Sequence, residues 1–211
     1  MRLPVLASLV LGFAARSSLC QTVIHEFRGE IVVTTPRIDG FGASLLVEQH
    51  LETDDLAPNE RILGFGLVSP TFHRVSAALE TRQVTMRNGL VEHRYIPTIY
   101  ANAPLLAGFE LHDRARVEVR DIARVWSRRY QNRSQLGHDV DVGSRAVWPY
   151  IELSLSYDTR YSELNRRDGT VGVRIPIARG TSIDPFLTRQ SDTRRAPMLL
   201  VAGGAILRIA L

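Results

Sequence analysis

The sequence predicts an all-β fold: an antiparallel up-and-down β-barrel of 10–12 strands, preceded by a cleavable signal peptide. Three observations carry this expectation. Apolar residues recur with a period of two, which keeps the two faces of a strand apart but would mix the faces of a helix. Charged residues gather on one of those faces. No run of about 18 or more apolar residues occurs, so no transmembrane helix is expected. The mean hydropathy of −0.05 does not argue against a membrane barrel, because a spanning strand turns only one face to lipid.

The first twenty residues read as the signal peptide. Arg2 supplies a minimal positive start, Leu3 to Phe13 form a short apolar run, and Ser18 stands at −3 for cleavage after Cys20. Cleavage after Ala14 is the alternative. The bulky Leu19 before Cys20 disfavours a lipoprotein. The organisation expected is therefore 1–20 signal and 21–211 a single β-barrel domain. If Cys20 leaves with the signal, the mature chain has no cysteine and no disulfide framework. Losing Arg2 and Arg16 also lowers the formal charge from +4 to about +2.

Turn chemistry divides the rest into strands. In order they are expected at about 22–35, 40–52, 61–69, 73–86, 90–102, 110–125, 128–141, 147–158, 168–178, 181–190 and 198–210. The clearest is the eighth, where Ile151, Leu153, Leu155 and Tyr157 alternate with Tyr150, Glu152, Ser154, Ser156 and Asp158. Asn88-Gly89 is the strongest hairpin signal. Eleven segments conflict with the even strand number of bacterial single-chain barrels. The reading therefore settles on ten or twelve, with the first segment outside the wall or a further strand near Leu105. If the last strand runs inward, residues 53–60 and 159–167 become long extracellular loops, and Pro36 to Asp39, Pro70-Thr71 and Arg179-Gly180 become short periplasmic turns.

Turning the apolar face outward places a polar network in the lumen: Glu92, Arg94, Arg114, Arg116, Glu118, Arg120, Arg129, Arg133, Glu152, Asp158, Arg166 and Arg174, with Glu48, Glu80 and Arg82 beside them. All 26 basic residues are arginine, whose planar fork pairs carboxylates bidentately. A narrow barrel would close such residues into an ion-pair lattice; an excess of arginine would instead make a small pore or an anionic-ligand site. Trp126, Trp148, Tyr130, Tyr150 and Tyr161 are candidates for an interfacial aromatic girdle.

No catalytic, cofactor or metal motif emerges. His25, His50, His73, His93, His112 and His138 form no HExxH pair, and no GxSxG elbow occurs. No basic patch interleaves with aromatics, so nucleic acid is not an expected partner. The expected partners are outer-membrane lipid and the barrel-assembly machinery.

One ordered series of motifs adds a resemblance. Arg114-Ala-Arg-Val-Glu-Val-Arg120, Arg128-Arg-Tyr-Gln-Asn-Arg133, Trp148-Pro-Tyr-Ile-Glu152, Tyr157-Asp-Thr-Arg-Tyr161, Asn165-Arg166, Gly172-Val-Arg-Ile-Pro176 and Arg189-Gln190 together resemble the bacterial family known as domain of unknown function twenty-four-ninety. The resemblance covers roughly residues 90–211. It implies an exported, outer-membrane barrel and carries no activity, ligand or catalytic residue. The chain departs from the family pattern in its apolar stretch at 104–108 and in ending on Leu211.

Three functions follow as expectations. The first is an outer-membrane barrel, structural or a narrow channel, without enzymatic activity. The second is a soluble periplasmic β-sheet binding module. The third is a barrel-embedded enzyme acting on lipid. The first two part on where Ile151, Leu153, Leu155 and Tyr157 point.

Overall fold

A computed structural model describes residues 23–53, 56–143, 145–194 and 198–211; the expected signal peptide, 1–20, lies outside the described residues. The strands are β1 (Val23–Thr34), β2 (Gly42–Glu52), β3 (Pro58–Val68), β4 (Val75–Met86), β5 (Val91–Pro104), β6 (Phe109–Ile122), β7 (Val125–His138), β8 (Val140–Val142), β9 (Arg145–Asp158), β10 (Glu163–Ala178), β11 (Thr181–Asp192) and β12 (Leu199–Ala210). Each strand from β1 to β7 pairs antiparallel with the next, β7 passes to β9, and the meander continues to β12. The short β8 pairs only with the start of β9, outside the wall.

The expected barrel is present, with eleven strands in its wall rather than ten or twelve. The first segment is not outside: β1 pairs in parallel with β12, from Val23 against Leu199 to Thr34 against Ala210. The physical reason is parity. Eleven alternating strands leave the first and last running the same way, so only a parallel ladder can seal them, and it still satisfies the backbone of both edges. The stretch near Leu105 holds no further strand; Leu106–Gly108 forms a single 3-10 turn between β5 and β6.

The connections also correct the loop-length expectation. One rim carries 53–57, 87–90, 123–124, 159–162 and 193–198; the other carries 35–41, 69–74, 105–108, 139–144 and 179–180. The two rims are alike in length. The long loop expected at 159–167 shrinks because β10 starts at Glu163 and runs for 16 residues. The strand expected from Asp168 begins earlier: Arg167, Asp168 and Gly169, residue types that also suit a turn, lie inside the ladder, Gly169 between Leu153 and Arg189. The β6–β7 turn falls at Ala123-Arg124 instead of near Ser127, with φ of 50° and 67°. Two left-handed residues make the tight hairpin that matches strand twist, and neither residue type signals it.

Sidedness is strict where the wall is clearest. Along β9, Ile151, Leu153, Leu155 and Tyr157 are 43%, 66%, 46% and 40% exposed, while Ser154, Ser156 and Asp158 are 2% or less. Phe65, Leu67, Leu79, Ile99 and Leu187 face outward on other strands. The apolar face of the sheet is thus its outside, and the polar face is enclosed.

Two of the girdle candidates face inward. Trp126, Tyr130 and Tyr161 are exposed, with Trp126 stacked on Tyr95, but Trp148 and Tyr150 are buried. The cause is glycine on the neighbouring strands. A methyl group at Gly172 would sit 2.5 Å from the Tyr150 ring, and one at Gly137 would overlap Trp148. Both rings lie flat over backbone in a space only hydrogen leaves open. Gly66 does the same for charge: a methyl there would sit 3.1 Å from Cγ of Glu80.

Candidate functional site

The candidate site is the charged lumen. Its simplest unit is an acid and a base two residues apart, which strand periodicity sets side by side on one face. Glu26 takes Arg28 at 2.8 Å, Glu80 takes Arg82 at 2.7 Å, Glu92 takes Arg94 at 2.9 Å, Glu118 takes Arg116 at 2.6 Å and Asp168 takes Arg166 at 3.1 Å.

Longer links tie strands together. Asp158, at the end of β9, accepts from Arg120 of β6 and, at 3.3 Å, from Arg129 of β7. Arg129 lies 3.8 Å from Glu118 as well, and Arg120 lies 3.9 Å from Glu92. Arg133 pairs with Glu152 at 3.0 Å. Arg174 of β10 and Arg208 of β12 converge on Asp184 of β11 at 3.1 and 2.8 Å, and Arg174 also lies over the Trp148 ring. Each link crosses a ladder, so it fixes register as well as charge. A neutral set adds to it: Gln131 donates to Ser154 at 2.9 Å and to Ser156 at 3.3 Å.

All twelve residues of the anticipated network stand on the inner face, and among the described residues all but Arg114 make an ion pair there. Sequence reasoning missed Glu26, Arg28, Glu30, Asp168 and Asp184. The signal for the first three was available: Glu26, Arg28 and Glu30 alternate with Phe27, Gly29 and Ile31. Asp168 stood at the expected start of its strand and was assigned to neither face.

The lattice leaves space. A cavity of about 400 Å³ runs between the walls, bordered by Glu30, Glu48, Arg82, Arg114, Arg133 and Glu152 among others. Ten arginines and eight carboxylates line it. His50 also faces it, 2.6 Å from Glu48 and 3.5 Å from Glu60. Among the described residues no histidine is hydrogen-bonded to a serine; His138 contacts the Gly108 carbonyl and His112 contacts Glu110. No cluster among the described residues has the geometry to hold a metal ion.

No family model and no curated protein matches the chain. Solved structures do. A bacterial polysaccharide outer membrane secretin superposes with a TM-score of 0.54 at 7% identity, over 82% of this chain and 63% of that one. LpxR from Salmonella typhimurium gives 0.53 at 8% identity, over 85% and 87%. The β domain of the Bordetella autotransporter BrkA gives 0.51 at 11% identity, over 82% and 85%. The chain thus spans less than two thirds of the secretin's length. At these identities the likeness is one of fold: this chain is built like outer-membrane β-barrels.

Proposed function

We propose that the protein is a bacterial outer-membrane β-barrel with a structural or narrow-channel role and no enzymatic activity, its lumen filled by an arginine–carboxylate lattice. One observation carries the reading: the aliphatic face of every clear strand is outside a closed wall and the charged face is within it. Lipid solvates the first arrangement and water punishes it. A soluble periplasmic module needs the opposite sidedness, with Leu153 and Leu155 in a core. The lattice supports a structural role because its charged side chains engage mainly one another.

On this reading outer-membrane lipid surrounds the wall and the barrel-assembly machinery inserts it. Membership of the family known as domain of unknown function twenty-four-ninety is part of the proposal; its support is the motif series from Arg114 to Gln190, in which Arg114, Arg116, Glu118, Arg120, Arg129, Arg133, Glu152 and Arg166 stand together on the inner face while Arg128 and Arg189 are exposed. The test is fractionation of the expressed chain with heat-modifiable migration on gels. Recovery with outer membranes and a faster-migrating unheated form are expected. Recovery wholly in the soluble periplasm overturns the reading.

A further inference from the structure

We infer that the lumen holds a binding site for a small inorganic oxyanion, of the size and charge of phosphate, at Arg114. The inference rests on the barrel fold and not on the barrel's location, so it stands apart from the outer-membrane reading.

The sheet register creates the site. Arg114 of β6 stands directly opposite Arg133 of β7, and Tyr100 of β5 stands opposite Arg114 on its other side. Like charges facing each other across a ladder destabilise it. Arg82 and Arg116 also lie within electrostatic reach, so four guanidinium groups repel one another here. Three of them have a carboxylate: Arg82 has Glu80, Arg116 has Glu118 and Arg133 has Glu152. Arg114 has none within ion-pairing distance among the described residues, and its Nε is buried without a hydrogen-bond acceptor. Tyr100 supplies no anion, since its hydroxyl donates to Glu80 at 3.2 Å.

The missing negative charge is on the other side of the barrel. Glu30 of β1 stands directly opposite Glu48 of β2, five places round the wall from β6. Glu30 forms no ion pair among the described residues, although it is within electrostatic reach of Arg82 and Arg133. The cavity separates it from Arg114. An uncompensated guanidinium in a narrow, partly desolvated space is costly. Its fixed fork suits two oxygens of one anion. A mobile oxyanion therefore completes the lattice at a guanidinium that Glu80 influences only at longer range, with no carboxylate at ion-pairing distance among the described residues.

The experiment titrates the full chain, refolded in detergent micelles, with sodium phosphate at constant ionic strength, followed by calorimetry. Saturable one-to-one binding is expected. Arg114→Gln should weaken it at least tenfold, and Arg114→Lys less. Glu30→Gln, which removes an opposing negative charge, should tighten it severalfold. Arg179→Gln, in an exposed turn, should leave it unchanged. Heat-modifiable migration checks that each variant is a folded barrel. No saturable binding by the wild-type chain overturns the inference whatever the variants do. So does an Arg114→Gln barrel that binds as well as wild type, or an Arg179→Gln barrel that loses binding equally, which would place the anion on the surface.

Discussion

Asp184 and Arg208 meet at 2.8 Å on the inner face, one from β11 and one from β12, and Arg174 of β10 reaches the same carboxylate oxygen. Asp184 is fully buried and joins three consecutive strands next to the parallel seam. Asp184→Asn keeps the shape and removes the charge, leaving two half-exposed guanidinium groups facing a neutral amide. The expected loss is about 2 kcal/mol, below the value for a fully buried pair because both arginines retain some solvent. The urea midpoint of the refolded barrel measures it. An unchanged midpoint would mean the contact adds nothing to stability.

The outer wall offers a test with a sign. Leu153 is 66% exposed between Ile151 and Leu155. Leu153→Arg should lower stability in lipid vesicles by about 2–4 kcal/mol if the residue sits near the bilayer midplane. The same change on a water-exposed surface would be close to neutral. Unfolding midpoints of the wild-type chain and of Leu153→Arg in vesicles separate the two cases.

Gly172 probes the packing that turns Tyr150 inward. Gly172→Val places a branched side chain where the Tyr150 ring lies, and overpacking of this kind costs about 1–3 kcal/mol. Adding Tyr150→Ala should restore part of the loss, because it clears the space. Two changes that add without recovery would show that ring and backbone do not compete.

The β6–β7 turn predicts a gain. Ala123 and Arg124 hold left-handed backbone at φ 50° and 67°, a conformation that costs a side-chain-bearing residue about 1–2 kcal/mol. Ala123→Asn with Arg124→Gly supplies the dipeptide this hairpin prefers. The double variant should raise the unfolding midpoint, by about 1 kcal/mol after the entropy glycine adds to the unfolded chain. A lower midpoint would mean Arg124 makes a compensating contact.

Removing a matched pair should open the lumen. Glu92 and Arg94 fill one side of it as a pair 2.9 Å apart. Changing both to alanine removes bulk without stranding either charge. Single-channel recordings in planar bilayers should show higher conductance than wild type. Equal conductance would place the constriction elsewhere, at the arginine–glutamate walls around Arg114 and Glu30.

The fold was legible because its cause is local. Alternation along segments such as Ile151 to Asp158 depends only on the pleat, so strand identity and the two faces follow from residue order. The turn without glycine at Ala123-Arg124 and the early start of β10 at Glu163 were not legible, since neighbouring strands overrode the local preference in both. Inward Trp148 and Tyr150 escaped for the same reason: what admits them is glycine on other strands, at Gly137 and Gly172.

Residue order by itself determined that this chain makes amphipathic strands with an arginine–carboxylate face. The tertiary structure decided which face is enclosed, that eleven strands close through a parallel seam, and which arginine meets which carboxylate. Register around a closed wall sets those last pairings, and register is a relation between strands. It alone put Arg114 against Arg133 and set Glu30 across the cavity, leaving a buried guanidinium with no carboxylate at ion-pairing distance among the described residues.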